Sequence, residues 1–453
     1  MGKLFGTDGI RGIANETLTC EMAFRVGQAA AIVLGEKKEG KPLFLIGRDT
    51  RISGDMLESC LVAGLCSCGA NVLRLGVIPT PGVAYLTVLN HADAGIVISA
   101  SHNPYAYNGI KIFSGEGFKL NDDLEAHIEE LILSGEALPV KTGGEIGKAA
   151  DGTYQSDEYI RYLASKVEEQ SLFGLRVLID CANGAASATA KRLFRRYPMN
   201  VEFIHDTPDG VNINAGCGST HLQDLSRRVV EGCYDVGIAF DGDADRCLAV
   251  DENGTLVDGD HIMAICAQAL RAEGKLPGDG FVATVMSNLG LHKYVKANGL
   301  KMLCADVGDR NVLEMMQREG MCLGGEQSGH VIFLDDLTTG DGQLCALHFL
   351  SILASSGKSL SELSGEIPTY PQILLNVPGP HNAADKQALL THPDLQTAID
   401  EKNKEMDGDG RILVRASGTE ALIRVMVEAS TQVVAEHVAE DLVNIVESIQ
   451  KIK

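Results

Sequence analysis

Four times along this chain an apolar, strand-like run empties into a short polar loop rich in glycine, charge and hydroxyl groups. Residues 94–98 (AGIVI) lead into Ser99-Ala100-Ser101-His102-Asn103-Pro104, and residues 234–240 (YDVGIAF) lead into Asp241-Gly242-Asp243-Ala244-Asp245-Arg246. Further on stand Gly325-Glu326-Gln327-Ser328-Gly329-His330 and, after the run 411–414, Arg415-Ala416-Ser417-Gly418-Thr419-Glu420. Ligands of open α/β sheets bind beyond the carboxyl ends of strands. The pattern therefore predicts several units, each delivering one loop to a common cleft.

The rest of the chain fits alternating strands and helices, and hence an α/β fold. The runs 41–46, 72–75, 176–180, 281–285 and 423–428 read as strands. Ser53 is expected to cap a helix whose apolar face runs Met56, Leu57, Cys60, Leu61, Gly64 and Leu65. The first three units share a strand–loop–helix style. The polar stretch 134–152 reads as a linker. At 453 residues the chain is too long for one ordinary core. The expected domains are 1–150, 156–255, 258–367 and 370–453.

Composition narrows the function. A formal charge of −22 repels phosphate polymers and anionic bilayers, which argues against nucleic acid and membrane partners. No run reaches the roughly 18 apolar residues of a spanning helix, and no apolar signal stretch follows the first residues, so a cytoplasmic setting is expected. The 12 cysteines, such as Cys60, Cys66 and Cys266 in apolar segments, are expected to be reduced thiols. Cys66 and Cys68 lack a second pair at zinc-like spacing.

Asp241, Asp243 and Asp245 alternate, which in an extended loop puts three carboxylates on one side. Three such anions need a divalent cation, and with no thiol or imidazole among them Mg²⁺ fits better than zinc. A calcium EF-hand reading has Glu252 at the twelfth position, but Arg246 takes the sixth, where glycine is required. Ser101 could act as a nucleophile or phosphate carrier. His102 follows it, and Lys111 lies close enough in sequence to be a cation or general acid/base. Arg415 and Arg424 flank Ser417, Gly418 and Thr419, an arrangement suited to an anion. Glu326, Ser328 and His330 suit sugar hydroxyls. The Gly6–Gly12 loop lacks the P-loop pattern, and its Arg11 could meet a phosphate.

Taken together and in order, SASHNP, DGDADR, GEQSGH and RASGTE resemble the phosphoserine, metal, sugar and phosphate loops of the α-D-phosphohexomutase family. The resemblance covers the whole chain. It implies three similar mixed-sheet α/β domains and a smaller α+β C-terminal domain around a central cleft. It also implies that Ser101 is phosphorylated and, with Asp241, Asp243 and Asp245, holds one Mg²⁺. Glu326 and Ser328, with Gly308 and Asp309, would take the sugar. Arg415, Ser417, Gly418, Thr419 and Arg424 would grip the non-reacting phosphate. Lys111, His102, Arg11, Arg246 and His330 would surround the transferring group, with Lys111 and His330 both open as the base.

The FGTDGIRG start, Gln327 and Val307-Gly308-Asp309-Arg310 are most similar to the amino-sugar branch of the family. This implies an isomerase moving phosphate between the 6- and 1-positions of glucosamine, primed by glucosamine or glucose 1,6-bisphosphate. Such a product would feed UDP-N-acetylglucosamine and cell-wall precursors. The chain would be a monomer or homodimer whose partner is the phosphosugar. Hexose-phosphate mutase, phosphatase and non-catalytic ion-binding readings are the rivals. Two departures stand out: Ala421 replaces the usual proline after SGTE, and Asn311 a common tyrosine.

Overall fold

The computed structural model describes residues 4–6, 8–35, 40–417 and 421–451. Contacts divide them into two compact units, Met1–Met286 with Lys301–Gly365, and Ser287–Leu300 with Glu366–Lys453.

The first unit holds three mixed sheets. The largest orders its strands Phe5–Gly6, Gly9–Ile13, Tyr107–Ser114, Ala94–Ile98, Leu43–Arg48, Asn71–Val77 and Ala149–Asp151. Leu43–Arg48 runs parallel to both its neighbours, whereas Tyr107–Ser114 is antiparallel to both of its own. All five residues of Ala94–Ile98 are buried, as expected of a central strand covered on both faces. In the second sheet Arg176–Asp180 runs parallel to Asn200–Ile204 and Val236–Phe240, and Cys247–Asp251 is antiparallel to the latter. In the third, Gly280–Thr284 runs parallel to Lys301–Ala305 and Leu323–Gly325, and Val331–Phe333 is antiparallel to Leu323–Gly325.

The second unit has one antiparallel sheet, Gln372–Pro378, Leu422–Ala429 and Gly410–Ala416. Helix Gln432–Lys451 covers it, with Val425, Val427, Leu442 and Val446 buried in their shared core.

Each polar loop proves to be the connection of an antiparallel hairpin. Ala94–Ile98 returns as Tyr107–Ser114, Val236–Phe240 as Cys247–Asp251, Leu323–Gly325 as Val331–Phe333, and Gly410–Ala416 as Leu422–Ala429. The expected strand–loop–helix style is thus corrected to strand–loop–strand. A hairpin pins a loop at both ends, whereas a strand–helix connection leaves one end to move with the helix.

Two smaller expectations also change. Ser53 precedes helix Gly54–Ser67 but its side chain caps nothing, because its backbone is already helical; its Oγ accepts from Asn108 Nδ2 at 2.9 Å. The 134–152 stretch is not all linker, since Ala149–Asp151 adds a parallel edge strand. Cys60 and Cys66 are only half-buried, and all 12 cysteines are free thiols. Among the described residues no helix is long and apolar enough to cross a membrane.

Candidate active site

Ser101 leaves its strand in the left-handed region, with φ 51°. Its loop is held from beneath by Arg51, whose buried guanidinium donates to the carbonyls of Ser101 (2.8 Å), Asn103 (2.8 Å), Pro104 (2.5 Å) and Tyr107 (2.9 Å). Asp49 pairs with Arg51 Nε at 2.8 Å and accepts from Ser99 Oγ at 2.6 Å; Ser99 Oγ in turn accepts from Ser101 N at 2.9 Å. From the second sheet's side, Asn214 Nδ2 donates to Ser101 O at 2.9 Å. Four carbonyls on one planar fork fix a loop far better than a single cap. The serine is therefore presented rather than mobile.

The aspartate loop meets this serine. Ser101 Oγ donates to Asp241 Oδ2 at 2.6 Å. One carboxylate oxygen from each of Asp241, Asp243 and Asp245 lies within 4.8 Å of the others, and all three residues are buried. The loop is a tight turn rather than extended: Ala244 has φ 57° and its N–H donates to Asp241 O at 3.1 Å. Convergence comes from this turn, not from alternation along a straight backbone. Gly242 is required for the approach, because a Cβ there would lie 2.4 Å from Ser101 O.

The donor set fits a hard divalent cation. Asp243 Oδ1 and Asp245 Oδ1 are buried without a hydrogen-bond partner among the described residues. Burial, then the neighbouring carboxylates, pushes Asp241 well above the usual carboxylate range, and Asp245 is raised for the same reasons. Burial opposes ionisation of Asp243 too, but Lys111 and Thr80 outweigh it and hold that carboxyl low. Oxygen-only ligands with unsatisfied lone pairs suit a cation of the Mg²⁺ or Ca²⁺ kind.

Lys111 lies on the return strand of the Ser101 hairpin, opposite Val97. Its Nζ is 2.8 Å from Asp243 Oδ2, 3.0 Å from Asp8 Oδ2 and 3.6 Å from Asp245 Oδ2. Burial works against its charge, but Asp243, Asp8 and Asp245 raise it well above the ordinary lysine range. Asp8 continues the chain of charge. Its Oδ1 is 2.5 Å from Lys119 Nζ, and Lys119 Nζ is 2.5 Å from Asp309 Oδ2. Alternating carboxylates and ammonium groups thus run from the aspartate loop to the start of helix Asp309–Glu319.

There the residues expected to take the sugar gather. Glu326 Oε1 accepts from Gly308 N at 2.9 Å, and Glu326 Oε2 accepts from Ser328 Oγ at 3.4 Å. Gly308 has φ 124°, which a side chain would oppose. His330 is buried with its Nε2 3.7 Å from Asp309 Oδ2, and neither ring nitrogen has a hydrogen-bond partner among the described residues. Arg11, on strand Gly9–Ile13, pairs with Asp8. Arg246 N donates to Asp241 Oδ1 at 3.3 Å. Burial, then Arg246 and Arg11, pushes His102 down to about 4, and its Nδ1 lies 3.4 Å from Ser101 Oγ. The imidazole is accordingly neutral near pH 7.

The expected anion cradle belongs to the second unit. Arg415 and Arg424 are directly opposed across two antiparallel strands, an arrangement of like charges that an anion would relieve. Ser417 is buried, and its N donates to Leu422 O at 2.8 Å. Gly418 and Thr419 lie outside the described residues.

Asp8, Asp49, Arg51, Lys119 and Asn214 were not picked out from the sequence. Asp49 and Arg51 carried a signal, an acid and a base just after a buried strand. Lys119 and Asn214 carried none, since each is one polar residue in an irregular segment.

A serine presented to a buried aspartate triad suits phosphoryl transfer, and the similarity of the chain to known proteins gives its class. Family models of phosphoglucomutase/phosphomannomutase match along its length: alpha/beta/alpha domain I at residues 2–138, domain II at 157–254, domain III at 258–370 and the C-terminal domain at 374–445. The chain belongs to this α-D-phosphohexomutase family and is an isomerase. Among its relatives, the phosphoglucosamine mutase of Desulforudis audaxviator is 50% identical over 452 residues, covering 100% of this chain and 99% of that one. A Burkholderia thailandensis phosphoglucomutase/phosphomannomutase family protein shares the fold with a TM-score of 0.79 at 24% identity, covering 98% of this chain and 97% of the other. The Aspergillus fumigatus N-acetylphosphoglucosamine mutase, solved with GlcNAc-6P and magnesium, does so with a TM-score of 0.71 at 19% identity, covering 97% and 95%.

Proposed function

We propose that the protein interconverts glucosamine 6-phosphate and glucosamine 1-phosphate through phosphorylated Ser101 and a bound 1,6-bisphosphate. The observation that carries this reading is Ser101 Oγ, 2.6 Å from the buried aspartate triad, with Lys111 anchored beside it. Full-length relatives at 50–52% identity, all named phosphoglucosamine mutase, support the amino-sugar substrate over a plain hexose phosphate.

In the first half-reaction the bond from phosphorus to Ser101 Oγ breaks as one forms to a sugar hydroxyl oxygen. The hydroxyl proton goes to a base, and because Asp243, Asp8 and Asp245 keep Lys111 charged, His330 is the candidate of the two for that role; the serine oxygen regains a proton. The second half-reaction runs the same exchange in reverse with the other phosphate, after the bisphosphate has turned over. Catalysis of this kind rests on positioning and neutralisation of charge. Arg51 and Asn214 hold the acceptor loop, Lys111, Arg11 and Arg246 supply positive charge, and neutral His102 adds a hydrogen-bonding group beside Ser101. Asp241, Asp243 and Asp245, with the Ser101 phosphate, would hold Mg²⁺, which supplies further neutralisation. Glu326, Ser328, Gly308 and Asp309 take the sugar, and Arg415, Ser417, Gly418, Thr419 and Arg424 the idle phosphate.

The reading extends to a cytoplasmic enzyme supplying UDP-N-acetylglucosamine and cell-wall precursors. Its domains would run 1–150, 156–255, 258–367 and 370–453, in a monomer or homodimer primed by glucosamine or glucose 1,6-bisphosphate. Its test is Ser101→Ala, which should abolish turnover while the fold persists. Full mutase activity in that variant would overturn the proposal.

A further inference from the structure

A second group of metal-binding side chains lies in the middle sheet, apart from the aspartate triad. Asp180 ends strand Arg176–Asp180, His205 directly follows strand Asn200–Ile204, and Cys217 lies in the irregular connection 205–222. One ligand atom from each lies within 4.8 Å of the other two. Ligands on a tetrahedral zinc ion are separated by roughly 3.3–3.8 Å, so small side-chain adjustments would close this set on one ion.

The surroundings favour a ligand role. His205 Nδ1 lies 3.0 Å from Asp180 Oδ2, a pairing that raises the imidazole above its usual range, and a metal ion would take the place of the proton between them. Its other nitrogen, Nε2, faces Asp224 Oδ2 at 3.5 Å. Ligating histidines typically direct the second ring nitrogen at a carboxylate in this way. Asp180 is itself oriented by backbone N–H groups, Oδ1 accepting from Ala182 at 2.8 Å and Oδ2 from Gly218 at 2.8 Å. The Cys217 side chain is fully buried.

We propose that Asp180, His205 and Cys217 form a second metal site, selective for Zn²⁺ or a similar borderline ion. One thiolate, one imidazole and one carboxylate match zinc, and the mix of sulfur and nitrogen excludes Mg²⁺. Three protein ligands leave a fourth position for water. The ion would tie the ends of two parallel strands to the 205–222 connection. That connection also carries Asn214, whose side chain holds Ser101 O and Asn103 O. The ion touches no group of the reaction, and its effect on turnover runs through the placement of the Ser101 loop.

The test uses full-length protein stripped with chelator and titrated with Co²⁺ in excess Mg²⁺. Binding is expected at one equivalent per chain, with a near-ultraviolet thiolate-to-cobalt band that Zn²⁺ removes. Cys217→Ser should lose the band, and His205→Gln should weaken binding at least 10-fold. Zn²⁺ should raise the melting temperature of the stripped wild type but not of His205→Gln, a readout that stands even if Cys217→Ser fails to fold. No band in the wild type, a band that persists in Cys217→Ser, or equal Zn²⁺ stabilisation of wild type and His205→Gln would each overturn the site.

Discussion

Replacing Lys119 with methionine removes the ammonium that separates Asp8 from Asp309. Both contacts are 2.5 Å and the lysine side chain is only 14% exposed. The two carboxylates would face each other at roughly 5 Å, a repulsion of about 3 kcal/mol at an effective dielectric of about 20. Breaking a buried pair from one side typically costs about 3–5 kcal/mol, and the slight exposure places this case at the low end. Asp8 keeps Lys111 and Arg11, so the damage should fall on Asp309 and the adjoining Gly308–Glu326 bond. Lys119 touches neither the serine nor the triad. Lys119→Met should therefore lower kcat/KM about 100-fold, equivalent to about 2.7 kcal/mol, with most of the change in KM. A double-mutant cycle isolates the cause. Adding Asp309→Asn removes the stranded charge and should recover at least about 1 kcal/mol of stability relative to Lys119→Met in urea denaturation. Kinetics within 3-fold of wild type, or strictly additive stabilities, would refute the reasoning.

Gly242→Ala should reduce turnover about 100-fold or more with modest loss of stability, roughly 1–3 kcal/mol, because the new Cβ drives the aspartate loop off Ser101 O. Steady-state kinetics beside a thermal melt separate the two effects. Arg51→Lys should also disable the enzyme while leaving it folded, since one ammonium cannot reach four carbonyls; near-native activity would show that the fork is dispensable. Asp341, which accepts from Tyr159 OH at 2.7 Å and caps helix Gly342–Ser356, is pushed up to about 6 by burial despite those bonds. Its folded value lies about 2 units above the unfolded one, worth about 3 kcal/mol. That contribution is present in full below about pH 4 and is lost as pH rises through about 6. Asp341→Asn should gain on the wild type in melting temperature between about pH 4 and 7, and a constant difference would contradict the shift.

Much of this site is legible in the sequence because its motifs are local. Ser101, the three aspartates and Glu326 with Ser328 each lie within one hairpin loop, where residue type and spacing suffice. What escaped depends on partners far away in the chain. The strand that carries Lys111 was not read as one, because it begins at Tyr107 and includes polar Asn108 and glycine. Arg51 and Asn214 act on the Ser101 loop from 50 and 113 residues away. Lys119 meets Asp309 across 190 residues. The aspartate loop was misread in shape, since alternation suggested an extended segment while left-handed Ala244 makes it a turn. The strands themselves came out well where apolar runs were continuous, as at Ala94–Ile98 and Arg176–Asp180. Short return strands such as Val331–Phe333 have too few residues to signal themselves.

The most direct test of the account is a coupled assay of Ser101-phosphorylated, Mg²⁺-loaded protein on glucosamine 6-phosphate and glucose 6-phosphate, with bisphosphate primer in both. The account predicts a clear preference in kcat/KM for the amino sugar and no net release of inorganic phosphate at the turnover rate. Preference for glucose would contradict the substrate assignment, and stoichiometric phosphate release would contradict the mutase mechanism itself.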